Sequence, residues 1–506
     1  MSQAAATPDD DIATLAKGGR TNFFGFVLRL VARLPFLFIA GHFYGPEVLG
    51  RFAYAIIVIE FAAQLATLGL KRGLAQQLRS TDRPHVCVVW DSMLAAFIAS
   101  AMASAALMIF PQAMFPNSEI YGADWLLPLV IFGIAGADVA LAALAFQHNI
   151  AATVRARAIV EPWTISIAAG VMVFFSSRDG LIIAYVVSIV AGLIASLVPL
   201  LRAYGVPNGW TPHPGKALEL ARNNIPLAGA DAIEWGSRRL DVAILGLFVA
   251  PYYVGVYYVA QQIASLPQRM KTSFDPILAP VITERLAAND YKAVAKQVRQ
   301  VGFWIIAAQL GIAMVLGIPG QALMSLIGAA FAGGALALAF LLGAEVIAAT
   351  AAVSEGALVY VARKRNLMVS ALMIVVQIVL TVAILTGIGS LGLPSEERQV
   401  YQSAAAAAAL AVSLGLSSIL KARLLKHLLG DSVVGWRWSL GWAAAAGLIV
   451  GLPILWTPDW FQLGIGAPLI LIAFGAMVWT RGFTAEDRVL FRLRKDEEPT
   501  LPVMER

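Results

Sequence analysis

The sequence is a succession of apolar runs, each about as long as the ~20 residues a helix needs to cross the hydrocarbon core of a bilayer. We read about fourteen of them. They cover 22–44, 52–70, 86–110, 125–147, 159–177, 180–201, 225–249, 253–274, 300–320, 335–361, 367–387, 401–420, 434–456 and 461–480. Hydrophobic residues make up 59% of the 506 positions and charged residues 13%, where a soluble domain carries about 25% charge. One globular core cannot hide that much apolar surface. The expectation is an all-α polytopic membrane protein. Residues 1–21 are polar, with "DDD" at 9–11, and form an N-terminal tail rather than a cleavable signal.

The basic residues orient the runs. With the N-terminus in the cytoplasm, thirty of the 37 Lys and Arg fall in segments on that side. Only Arg51, Arg178 and Arg398 fall on the other side. Such a bias puts both termini in the cytoplasm and supports an even number of spans. It also accounts for the net charge of +6 without nucleic acid as a partner.

Soluble chemistry finds little support. Cys87 is the single cysteine, so no internal disulfide is possible. The five histidines (His42, His85, His148, His213, His427) have no metal-ligand spacing. "GIGSLG" (387–392) fits a dinucleotide fingerprint but has no strand before it, and reads as a turn. "GWTPHPGKA" (209–217) lacks the spacing and the Ser/Thr of a P-loop. No catalytic residues, metal site or cofactor are expected.

The chain repeats itself. Set against n+205, "RLPFLFIAGHFYGPEVLGRFAYA" (33–55) lies over "RRLDVAILGLFVAPYYVGVYYVA" (238–260). Arg33/Arg238, Ile39/Ile244, Gly41/Gly246, Phe43/Phe248, Pro46/Pro251, Gly50/Gly255 and Ala55/Ala260 are identical. Apolar matches are common between membrane segments, whereas Gly, Pro and Arg matches in one register are not. The repeats run in the same direction, so the expected axis is along the membrane normal. That predicts a six-helix N-lobe over 22–205, a six-helix C-lobe over 206–430, two further helices over 431–480 and a tail over 481–506. Substrate is expected between the lobes near the midplane.

Charges inside spans cost free energy and tend to face a wet cavity or a partner. Span 7, "GADAIEWGSRRLDVAILG" (229–246), is the most charged. On an ideal helix Asp231, Glu234, Arg238 and Asp241 fall within about 80°, with Arg239 at the edge. Asn22, Arg29 and Arg33 share a face of span 1, and Glu60, Gln64 and Thr67 one of span 2, continued by Lys71. Asp138 lies in span 4, Glu345 and Glu355 in span 10. Structural roles compete for each. Arg29 is near enough to one end to snorkel, Glu234–Arg238 can form an ion pair, and Arg239 can pair with Asp241. Asp138, Glu345 and Glu355 can join helices. The functional reading makes Arg29, Arg33, Arg238 and Arg239 a two-sided clamp on one phosphate-bearing ligand. Glu60, Asp138, Asp231, Glu234, Asp241, Glu345 and Glu355 would then neutralise the empty cavity or bind a coupling ion (H+ or Na+).

"GHFYGPEVLGRFAYA" (41–55), "LGLKRGLAQQL" (68–78), "VGVYYVAQQIASLP" (254–267) and "FTAEDRVLFRLR" (483–494) resemble segments of bacterial polysaccharide transporters. These are the lipid-linked oligosaccharide or O-antigen flippases of the multidrug/oligosaccharidyl-lipid/polysaccharide (MOP) superfamily. The resemblance implies a V-shaped two-lobe bundle with alternating access. It implies transfer of an undecaprenyl-pyrophosphate-linked glycan across the bacterial inner membrane, among membrane lipids, with a polysaccharide polymerase or glycosyltransferase as partner. First-helix arginines hold pyrophosphate in the related lipid II flippases, and Arg29 and Arg33 match that placement. Those relatives have an arginine in the second span where this chain has Glu60. A cation-coupled multidrug antiporter of the same superfamily would favour carboxylates without arginines. A membrane glycan polymerase or ligase would carry a large extracytoplasmic loop, and the loops here are short. A scaffold without transport would have no use for costly charged stripes.

Overall fold

The computed structural model describes residues 34–205, 210–484 and 487, without the side chains of Pro214, Ala217 and 268–281. Arg29 and Arg33 lie outside the described residues, as do the N-terminal tail and most of the C-terminal one. All regular structure among the described residues is helical. After helical residues 34–44 come α1 (Gly45–Ala66), α2 (Leu70–Ser80), α3 (His85–Ile109), α4 (Val130–Phe146), α5 (Glu161–Met172) and α6 (Gly180–Tyr204). They are followed by α7 (Pro214–Gly236), α8 (Leu240–Phe248), α9 (Pro251–Ala287), α10 (Tyr291–Gly317), α11 (Gly320–Ile327) and α12 (Ala335–Ala349). The last are α13 (Ala352–Val361), α14 (Arg363–Gly389), α15 (Ser395–Leu429), α16 (Trp438–Ile454) and α17 (Ala467–Met477).

Nine helices among the described residues are long and apolar enough to cross a membrane, and Ala352–Val361 and Trp438–Ile454 are shorter apolar helices. The remaining expected spans are those that carry charge or breaks. They correspond to α5 with its preceding π turn Val154–Val160, to α7 with α8, and to α9.

The 205-residue register reappears in three dimensions. Pro46 and Pro251 open α1 and α9, where proline's fixed φ suits the first helical turn and its missing N–H costs nothing. The 3-10 segment Gly122–Leu129 leads into α4 at Val130, and the 3-10 segment Ala329–Gly334 leads into α12 at Ala335, 205 residues on. Helices α1 and α9 pack on each other. A Cβ added at Gly50 would lie 1.8 Å from the Pro251 carbonyl oxygen, and one at Gly255 1.9 Å from that of Pro46. Each repeat's glycine thus meets the other's proline. This reciprocal contact marks the pseudo-two-fold axis, and only residues without a Cβ permit it.

The cores show the shape. One cluster runs through the first lobe and into the short-loop half of the second, including Leu245, Tyr257, Phe331, Leu338 and Leu410. A separate cluster, with Val298, Phe303, Leu358, Leu425 and Phe474, fills the basic half of the second lobe together with α16 and α17. Among the described residues, the basic half of the second lobe thus has a core of its own. Arg51, read as an outside-loop charge, is buried near the apex. It pairs with fully buried Asp124, donates to Ser118 Oγ and the Glu119 carbonyl, and lies over the Phe115 and Tyr121 rings. It pins the 111–124 loop to α1.

The crossing yields a test. Gly50→Leu or Gly255→Leu is expected to wedge the backbones apart and destabilise the protein by about 1–3 kcal/mol or more. Gly343, which has nothing within 4 Å of an added Cβ, is expected to accept Ala with no loss. Melting in detergent, read by intrinsic fluorescence, checks both.

Candidate functional site between the lobes

Span 7 is not one helix. Helix α7 ends at Gly236, Ser237–Arg239 form a turn, and α8 begins at Leu240. The two halves have different neighbours. Helix α7 packs chiefly on α1, α2 and α3 of the first lobe and to a lesser extent on α14, while α8 packs chiefly on α9, α14 and α15 of the second and to a lesser extent on α1. The segment therefore crosses from one lobe to the other at the turn bearing Arg238 and Arg239. The ideal-helix stripe of Asp231, Glu234, Arg238 and Asp241 does not survive, because the turn re-aims the residues beyond it.

The turn also decides the partners. Arg239 Nη1 lies 3.1 Å from Glu60 Oε2 on α1, with both side chains about one-third exposed, and its guanidinium lies 5.5 Å from the Trp235 ring. Arg238 is exposed, and its carbonyl accepts a hydrogen bond from Gln261 Nε2 at 3.5 Å. Glu234 meets Arg72 of α2 at 2.6 Å rather than Arg238, and Asp231 meets the same guanidinium at 2.7 Å. Arg239 and Asp241 are not paired among the described residues. Asp241 is fully buried and accepts from Tyr257 Oη at 2.6 Å and Gln261 Nε2 at 3.0 Å. Gly69, in the left-handed region at φ +69°, brings α2 against α7, where its Cβ would lie 2.6 Å from Ala228 N.

Two separate contacts thus join α1–α2 to α7–α8: Glu60 with Arg239, and Arg72 with Asp231 and Glu234. Asp138 lies within electrostatic reach of Asp231 but is paired elsewhere. It lies inside the first lobe, hydrogen-bonded to Arg157, with Lys71 Nζ at 4.0 Å, and Arg157 also holds Glu161 at 2.7 Å. Buried Tyr185 lies within electrostatic reach of both Glu60–Arg239 and Glu161–Arg157. Glu355 is bound by Lys421 at 2.7 Å within the second lobe, and Glu345 stands half-buried on α12.

Sequence reasoning assigned Lys71, Arg72, Arg157 and Lys421 to basic loops, and their ion pairs were missed. One signal was available. Arg157 and Glu161 are four apart, the spacing of a helical ion pair. Chemically, the inter-lobe set is a charge-compensated seam. Partly exposed arginines are held there by carboxylates.

A family model described as "Polysaccharide biosynthesis protein" matches residues 42–327. No curated protein sequence matches the chain. Among solved structures, the lipid II flippase MurJ in an inward closed conformation is similar at TM-score 0.67 and 11% identity, covering 90% of this chain and 98% of that one. An inward-facing multidrug-resistance MATE transporter of the MOP superfamily is similar at TM-score 0.61 and 14% identity, covering 79% and 99%. A MOP-superfamily transporter from Pyrococcus furiosus, described by a binding pocket of reverse polarity, follows at TM-score 0.54 and 13% identity, covering 84% and 96%. These likenesses show the MOP fold.

The seam predicts a charge-swap result. Arg239→Glu alone leaves two carboxylates facing each other and is expected to lower the melting temperature. Combining it with Glu60→Arg is expected to restore at least 0.5 kcal/mol of coupling, about the lower bound for residues in contact. A double-mutant cycle on the purified protein measures this.

Proposed function

The chain belongs to the polysaccharide biosynthesis protein family, and from that premise we propose that it is a flippase for a lipid-linked oligosaccharide. Its substrate is an undecaprenyl-pyrophosphate-linked glycan, moved from the cytoplasmic to the periplasmic leaflet of the bacterial inner membrane. The product serves O-antigen, exopolysaccharide or capsule assembly, and a polymerase or glycosyltransferase is the natural partner. The proposed lobes are 22–205 and 206–430, with the accessory helices in 431–480 and both termini in the cytoplasm.

One observation carries this reading. Arg238 and Arg239 stand at the break where span 7 passes between the lobes, one exposed and the other held by Glu60 of the opposite lobe. A pyrophosphate entering there can take both guanidinium forks, and Glu60 is the group it displaces. Arg29 and Arg33 complete the clamp from the first span in this proposal. Ligand contact would differ between two arrangements of the lobes, which is what alternating access requires. Carboxylates held by cations, such as Asp138 and Glu355, fit a charge-compensating role. Asp241, bound to neutral Tyr257 and Gln261, is the better candidate to exchange a coupling H+ or Na+. A cation-exporting antiporter would be poorly served by paired arginines at the lobe junction.

Arg238→Ala is expected to cut surface glycan export about tenfold or more in cells holding normal membrane levels of the protein, as loss of a charge-assisted contact would. The same holds for Arg239→Ala. Undiminished export in both variants would remove the arginines from the substrate path.

A further inference from the structure

We propose that a cleft beside the two accessory helices, on the basic face, binds the phosphate-bearing headgroup of an anionic phospholipid. The cleft has a volume of about 430 Å³ and is lined chiefly by Lys296, Arg299, Gln300, Trp436, Arg437 and Thr484. That volume falls within the roughly 300–1,000 Å³ of small-ligand sites. None of its lining residues belongs to the inter-lobe seam, so the proposal does not rest on the flippase reading.

The cleft is built from three separate stretches of chain. The first turns of α10 supply Lys296, Arg299 and Gln300, the 430–437 loop supplies Trp436 and Arg437, and Thr484 follows α17. The loop lies flat on α10, since a Cβ at Gly435 would come within 2.5 Å of Phe303 N. Arg299 Nη1 donates to the Ser432 carbonyl at 3.4 Å. Arg437 is fixed more firmly. It donates to the Gly482 carbonyl at 2.9 Å, pairs with Asp487 at 2.6 Å and lies 3.9 Å above the Phe303 ring. Gln300 Nε2 and Trp304 Nε1 also donate to Asp487. Burial alone would raise the Asp487 carboxyl, but the hydrogen bonds from Arg437, Thr484 and Trp304 outweigh it and hold it below the usual carboxylate range. Asp487 is therefore ionised at neutral pH and orients Arg437.

The depth of the cleft points to a lipid. Trp436, Trp438, Trp442 and Trp479 are exposed around this end of the accessory pair, and Trp456 and Trp460 around the other. Trp438 opens a helix that ends at Ile454, about 24 Å on at 1.5 Å per residue, and Trp456 lies in the turn just beyond it, so the two tryptophans stand near opposite sides of a bilayer's hydrocarbon core. Tryptophans so spaced mark the two membrane–water interfaces. The cleft thus opens where headgroups lie. An ammonium and two guanidinium groups held there match phosphate oxygens, and basic pockets at this depth take anionic headgroups.

Native mass spectrometry of the full-length protein with cardiolipin, phosphatidylglycerol or phosphatidylcholine tests the assignment. Both anionic lipids are expected to be retained in preference to phosphatidylcholine. Combined Lys296→Ala and Arg299→Ala are expected to weaken retention about tenfold or more, while Lys292→Ala, an exposed lysine on the same helix, leaves it unchanged. Arg299→Gln keeps hydrogen-bonding capacity without charge and is expected to lose retention with melting unaltered, whereas Arg299→Lys preserves it. Equal retention by the double variant, or equal retention of phosphatidylcholine, overturns the proposal. Displacement of the lipid by millimolar inorganic phosphate also overturns it, assigning a free-anion site instead.

Discussion

The close crossing of α1 and α9 is the contact on which the rest of the structure depends. Gly50 faces Pro251 and Gly255, and Gly255 faces Pro46 and Gly50, with carbonyl oxygens where Cβ atoms would stand. Hydrophobic driving force is weak between helices already in lipid, so association relies on close van der Waals approach. Two backbones in contact there join the two repeats directly. The same crossing places α1 opposite the start of the second repeat, and so sets Glu60 facing Arg239.

A V of two lobes needs an element that connects its arms without locking them. Span 7 is that element because it is broken at Ser237–Arg239. Its first half belongs by packing to the first lobe and its second half to the second. The charges that look unsuited to a membrane helix are the means by which the halves are held. Arg72 anchors Asp231 and Glu234, and Glu60 holds Arg239. Arg72 and Arg239 each have a carboxylate neighbour, which limits the cost of placing charge in a span.

Much of the architecture is legible in the residues. Apolar run length gives an all-helical membrane fold. The Gly and Pro matches at n+205 reveal the repeat, and the helix starts at Pro46 and Pro251 follow from proline's geometry. The candidate site is legible only in outline. Glu60 and Arg239 are both recognisable as costly charges, but nothing local pairs them. Asp231 and Glu234 appear to share a stripe with Arg238 until the turn after Gly236 separates them. Arg157 and Lys421 read as loop cations, since charge bias alone does not say how far into a lobe a basic residue reaches.

By itself the sequence determined what the solvent demands. Runs of ~20 apolar residues must become helices in lipid, because every backbone N–H and C=O has to be satisfied within the segment. A duplicated segment folds twice in the same way. The tertiary structure alone decided which charges meet. Ion pairing acts over a few ångströms, and those distances are set by helix crossings and by one broken helix, between residues far apart in the chain. Arg239 thus finds Glu60 in the opposite lobe rather than Asp241 two residues away. The physical reason is that hydrophobicity is a property of each residue, whereas a salt bridge is a property of where the fold puts two of them.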